Sequence, residues 1–342
     1  MQQPNPILVE VTRGPAVESI HRGAAVVVDR TGQVVASWGD VEHPVYPRSA
    51  VKPIQAVPLL TSGAARAFGV SRDEIALACA SHNGEAVHTY AVRQWLRRLG
   101  YGPEALECGA HLPQDPETRR QLEMRGEPPS ALHNNCSGKH AGFLTLCRHM
   151  EFSPTGYIRA DHPVQRVVRG VLEEFTGCSV AEAPCGIDGC GIPVYGIPLR
   201  GLATALMKFT DPEARADATA DAVRSIRDAM TGRPYLVAGR NRFCTEVMEA
   251  LAPHVLVKTG AEGVFCAALL DRGLGVALKI DDGATRAAEV AVGGVLRSLG
   301  AINDSRFAAL RSKLEPEVMN VAGRKVGTIR ASAGLLAQPA QA

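Results

Sequence analysis

The chain has 342 residues, of which 46% are hydrophobic and 5% aromatic, and a formal net charge of +2, enough apolar material for a sizeable core in one two-lobed domain or in two domains. A near-neutral balance with no basic stripe and few aromatics excludes a nucleic-acid partner, and no run reaches the apolar length that a membrane span requires. Nine scattered cysteines, an odd number, argue for thiols or metal ligands rather than a secreted disulfide framework, and the opening MQQPNPILVEVTRG lacks a charged region followed by an apolar one, so a cytoplasmic protein is expected.

Three strand-like runs open the chain, ILVEV, AAVVVD and VVASWG. RSAVKP follows, with Ser49 and Lys52 three residues apart. On a helix that spacing sets both side chains on one face, whereas a strand would turn them apart. Pro53 suits a first helical turn, where its missing N–H costs little, so a helix is expected over 53–66 with the pair at its start. A serine hydroxyl attacks once a base takes its proton, and a lysine serves as that base when burial and nearby positive charge keep it neutral. The bland alternative makes Ser49 a helix cap and Lys52 a solvated charge. Arg48 offers a guanidinium fork for a substrate carboxylate, or is a plain surface charge.

Ser81, His82 and Asn83 come next, ahead of a helix expected over 86–99. Asn83 in such a place holds an amide, orients a lysine or caps a turn. In NNCSGKHAG, at the head of a helix expected over 139–150, Cys136 and Lys139 repeat the three-residue spacing; GIDGCG then supplies Asp188 and Cys190. Two thiolates are ordinary zinc ligands. A lysine ligand must give up a proton, at roughly 4 to 5 kcal/mol near neutrality, which is small beside the ~10 to 16 kcal/mol of a structural zinc site. From the residues alone a pair of inert buried thiols is the simpler reading, with Cys185 and His140 as rival ligands. SGKH is no phosphate loop, since that pattern needs glycine where His133 stands and Ser or Thr where His140 stands. His133 and His162 lack partners at metal spacing and read as structural.

Further helices are expected over 163–175, 200–208 and 212–230, the last opened by Asp211-Pro212 and closed by Gly232. The strand-like runs HVLVKT, VFCAALL and LGVALKI follow, then a helix over 284–299, and the final Ala and Gln residues read as a frayed tail. HVLV leads into Lys258, Thr259 and Gly260. Lys258 would supply the charge that keeps Lys52 neutral and would form a second serine-lysine pair with Ser81. Backbone N–H groups near Ser49 and around Gly260 are the candidate oxyanion donors. Strands at both ends with helices between them predict an α/β protein, more narrowly α+β: a mainly antiparallel sheet flanked by helices, with a sheet lobe from 1–50 and 235–342, a helical lobe over 51–234, and the active site in the crevice of this single catalytic domain.

S-x-x-K, S-x-N and K-T-G in that order resemble the penicillin-recognising serine hydrolases, although His82 stands where many of those carry aspartate. More narrowly, VEVTRG, YPRSAVKPIQ, ASHNGE, NNCSGKHAGF, PCGIDGCGIP, VKTGAEGV and ALKIDDGATRA resemble the Rhizobium-type L-asparaginases, the class called asparaginase II, across nearly the whole chain. The resemblance implies a serine-beta-lactamase-like fold, a homodimer, and hydrolysis of L-asparagine to L-aspartate and ammonia. It also implies Zn2+ on Cys136, Lys139 and Cys190, with a water as fourth ligand and Asp188 behind them. Rival readings are a glutaminase, whose substrate differs by one methylene worth only ~1 to 3 kcal/mol in a pocket, a beta-lactamase-like amidohydrolase of the cell exterior, and a zinc-bearing amide sensor without turnover.

Overall fold

Apolar runs at the two ends of the sequence become one antiparallel sheet in the structure, a computed structural model that describes residues 4–214 and 218–337. Residues 338–342, where a frayed tail is expected, and residues 215–217, near the start of the helix expected over 212–230, lie outside the described residues. Contacts divide the chain into two units: 1–50, 197–211 and 246–342 form the first, 51–196 and 212–245 the second. The first unit therefore takes in 197–211, a stretch expected among the helices of the middle.

In the first unit the strand order is Glu317–Met319, Lys325–Ala331, Ile7–Arg13, Ala16–Val28, Leu274–Ile280, Val264–Leu269, Val255–Thr259, with Val34–Trp38 also paired to Ala16–Val28. Every pairing is antiparallel, as the α+β expectation requires. Val264–Leu269 is buried at every position, which calls for cover on both faces; the helices Leu199–Met207 and Thr285–Ser298 both pack on it. Gly275 lets the first of these sit down, since a Cβ there would lie 2.0 Å from the Ala203 carbonyl oxygen.

The second unit is built around the helix Ser137–His149, buried from Ser137 through Cys147. A helix surrounded by others needs apolar or small residues all round rather than one stripe. Gly138 permits the closest approach: a Cβ on it would stand 2.3 Å from the Leu77 carbonyl oxygen of the helix Arg72–Ala78. Against these pack Ala86–Arg98 and Pro163–Thr176, close to their expected bounds. The helix expected over 53–66 is broken into Lys52–Gln55, Val57–Thr61 and Ala64–Ala67. Pro58 has no N–H for the Ile54 carbonyl, and Gly63 turns left-handed at φ 84. Among the described residues no helix is long and apolar enough to cross a membrane, and no cysteine forms a disulfide.

Candidate active site

Ser81–Asn83 runs extended after the helix Arg72–Ala78, held by backbone bonds from Ser81 N to Val237 O and from Asn83 N to Ala238 O, both 2.9 Å. This fixes the Ser81 hydroxyl against Lys52 of the same unit. Lys52 is 0% exposed, and its amine donates to the Ala80 carbonyl at 2.5 Å and to Ser81 Oγ at 3.0 Å. A buried amine without such partners would cost several kcal/mol. Sequence spacing assigns Lys52 to Ser49; the bond that the second unit displays is to Ser81. Ser49 itself lies half-buried in the 3-10 turn Arg48–Val51, which leads straight into Lys52–Gln55. The cap position of that helix is Val51 and no side chain caps it, so the helix-cap reading of Ser49 does not hold.

His82 and Asn83 are scaffolding. His82 Nδ1 accepts from Gly84 N at 3.1 Å, so its Nε2 carries the hydrogen given to Ser137 Oγ at 2.9 Å. His82 is held well below its ordinary pKa, first by burial and then by its neighbours His88 and Lys52. It is neutral, and stacks on His88 at 4.8 Å, which stacks in turn on Tyr235. Asn83 gives both amide hydrogens away, to Glu85 Oε1 at 3.2 Å and Arg240 O at 3.0 Å, while its Oδ1 accepts from Arg242 at 2.9 Å. No donor remains on it for a substrate amide. Glu85 also takes the Tyr235 hydroxyl and Arg240 N. Sequence reasoning missed Glu85, Tyr235, Arg242 and Ser137; Glu85 in ASHNGE was the one with a signal, standing two residues past Asn83.

Cys136, Lys139 and Cys190 do converge. Their exposures are 4, 3 and 4%, Lys139 Nζ lies 3.0 Å from Cys190 Sγ, and the two thiols hydrogen-bond each other. The pair gives up one proton well below the ordinary thiol range: the thiol-thiol hydrogen bond is the main cause, and the Lys52 and Lys139 charges add to it against burial. The second proton is held well above that range by the same hydrogen bond and by burial. Burial works against the Lys139 charge, but Cys190, Cys136 and Asp188 together outweigh it and push its pKa up. Lys52 also acts on the Cys136 sulfur, so the amine that meets Ser81 lies beside this cluster too. Of the rival ligands, Cys185 is exposed on the hairpin strand Cys185–Ile187, and His140 turns Nδ1 to the Tyr157 hydroxyl at 2.7 Å. His162 caps the helix Pro163–Thr176, and His133 accepts from Ser130 N, the cap of its own 3-10 turn.

Two thiols and an amine are donor types that would suit a zinc ion once Lys139 had given up its proton. Ideal Zn–S and Zn–N bonds would set the sulfur and nitrogen about 3.6 Å apart on a tetrahedron, a small opening from the 3.0 Å observed. Half-buried Asp188 is near enough to act on Lys139 and Cys190. Among the described residues no three or more His, Cys, Asp or Glu side chains gather as a metal site; this set has two such side chains, both cysteines, and its third donor is an amine.

In the first unit Lys258 is 1% exposed and donates to the Thr259 carbonyl at 2.9 Å. Gly260 differs from expectation. Its N–H is committed to Val264 O at 2.7 Å and is no oxyanion donor. What it contributes is lack of a side chain: a Cβ on Gly260 would lie 2.6 Å from the Pro47 carbonyl oxygen, the group that accepts from Ala50 N at 3.1 Å and so closes the turn holding Ser49.

A buried lysine-serine couple touching a thiol-amine cluster, on an α+β scaffold, is equipment suited to an amidohydrolase. The model of the L-asparaginase II family matches residues 9–331, and the chain belongs to that family. It is thus an L-asparaginase, with asparagine as its substrate. Among curated proteins none matches the chain at a significant level.

Proposed function

We propose that this asparaginase works through a serine ester on Ser49, with Lys52 as base, and that it does so as a cytoplasmic homodimer carrying zinc on Cys136, Lys139 and Cys190. Ser49 Oγ attacks the carboxamide carbon and its proton passes to Lys52. The C–N bond breaks as ammonia takes a proton back, and water then cleaves the ester to aspartate. The observation that carries this reading is the environment of Lys52. The Ala80 carbonyl and Ser81 Oγ both accept from this buried amine, which fixes the place where its nitrogen would take up and return a proton. Ser81, at 4% exposure, suits a proton relay backed by Lys258; Ser49, half-buried, is the more reachable nucleophile. Zinc, when bound, would supply a Lewis-acidic centre for a substrate oxygen and hold Cys136 as thiolate beside Lys52.

Mass spectrometry of protein quenched during turnover tests the assignment. A +115 Da aspartyl adduct is about the mass change of asparagine joined with loss of ammonia, and it should map to the peptide with Ser49. Ser49→Ala should lose ammonia release. Full turnover of asparagine by that variant, or an adduct on Ser81, would reassign the nucleophile; release from glutamine at an equal rate would make the chain a general amidase for both substrates.

A further inference from the structure

A cavity of about 530 Å3 in the first unit is lined by Arg48, Glu262, Lys279 and Asp281, with Asn5 and Tyr46. Pockets for small ligands run from about 300 to 1,000 Å3, so its volume does not distinguish asparagine from glutamine. Charge placement does more. Arg48 and Glu262 are non-glycine residues held in the left-handed region, at φ 51 and 57, a strain that gathers where the direction of a side chain is put to use. The segments bearing them are in contact, because Gly260, two residues before Glu262, approaches the Pro47 carbonyl beside Arg48. Ser49 is the next residue. The other acids on the wall are engaged: Asp281 accepts from Asn5 at 2.9 Å, and Asp40 accepts from the backbone N–H groups of Glu42 and His43 at 3.1 and 3.0 Å. Lys279 donates to the Ile280 carbonyl. Among the described residues the Glu262 carboxylate has no hydrogen bond or ion pair, its influence on Lys279 being through space.

We infer that this cavity receives the zwitterionic end of the substrate, Arg48 gripping the α-carboxylate and Glu262 the α-ammonium, so that the clamp and not the cavity's size sets which carboxamide reaches Ser49. The inference rests on Ser49 as the acylated residue. A guanidinium matches a carboxylate with two parallel bonds, and a carboxylate accepts from an ammonium at short range; an α-amino acid presents both charges on one carbon.

The test uses amides that lack one charge each: succinamate has no α-ammonium, and 3-aminopropanamide has no α-carboxylate. Wild-type kcat/KM should fall about 10- to 100-fold for either one relative to L-asparagine, the worth of one charged hydrogen bond. Glu262→Gln should lower kcat/KM for asparagine by that factor and leave succinamate unchanged; Arg48→Gln should do the same for asparagine and leave 3-aminopropanamide unchanged. Equal losses on the full and truncated substrates would mean a structural role and overturn the clamp. So would wild-type enzyme that treats asparagine and succinamate alike, a result that needs no variant to fold. If instead Ser49→Ala retains turnover while the pattern of charge preference holds, Arg48 and Glu262 still read the two charges, but delivery of the carboxamide to Ser49 falls together with the nucleophile assignment.

Discussion

Replacing Gly260 by alanine perturbs the turn that carries Ser49 without touching any reacting group. The added Cβ would stand 2.6 Å from Pro47 O and 3.0 Å from Val264 Cβ. Ordinary contact begins near 3.4 Å, so the Pro47 carbonyl must recede by about 0.8 Å. That carbonyl closes the 3-10 turn through Ala50 N, and displacement there moves Ser49. Overpacking of this kind costs about 1 to 3 kcal/mol of stability, while a misplacement approaching 1 Å at the reacting groups costs up to about 100-fold in rate. Gly260→Ala should therefore lose about 10- to 100-fold in kcat in a coupled ammonia assay and shift the urea midpoint down by an amount matching that destabilisation. Wild-type kcat in a variant that is destabilised would show that the turn's position is not critical to the chemistry. Wild-type values for both would refute the packing argument itself.

Ser81→Ala deletes one acceptor of the buried Lys52 amine; kcat should drop by about 100- to 10,000-fold with KM changed far less, and a rate within threefold of wild type, about half a kcal/mol, would remove Ser81 from the proton path. Cys136→Ser should abolish metal binding, read as zinc per chain after purification, and a chelator should lower the melting temperature of the wild type but not of this variant; equal zinc content in both would sink the site. His82 and His88 both have pKa values lowered, chiefly by burial. Folded values below the unfolded ~6.5 mean that the unfolded chain binds more protons on acidification, so the stability present above pH ~6.5 is lost as pH falls, at up to ~1.4 kcal/mol per pH unit for each histidine. Urea midpoints at pH 7.5 and 5.5 should show this, with a shallower slope in His88→Gln; a flat profile would contradict the neutral stack.

Strands covered on both faces were readable to within a residue or so: LGVALKI is the strand Leu274–Ile280, and VFCAALL contains Val264–Leu269. Polar strands were not. Lys325–Ala331, near the edge of the sheet, buries only Ile329, and the first five residues of Ala16–Val28 are exposed, so neither writes an apolar run. At the site, residue types and spacing were enough to pick out the islands, because Cys136 and Lys139 share helical backbone and GIDGCG is a short hairpin. Which serine a lysine meets was not legible. The Lys52–Ser81 bond joins residues 29 apart, and the neighbours that saturate Asn83, Arg240 and Arg242, arrive 157 and 159 residues later. The loss of Gly260 as a donor follows from its bond to Val264 across a tight hairpin, a local closure that the KTG pattern does not encode.

The pairing of Val28 with Gly275 and of Val9 with Ala331 has a bearing on biosynthesis. The leading strands leave the ribosome with unpaired edges, and their partners emerge only in the last quarter of translation. Closing so long a loop is slow, and open edges recruit other nascent chains. Chaperone shielding of those leading strands, until the distant hairpin is made, is what this topology asks of the cell that produces it.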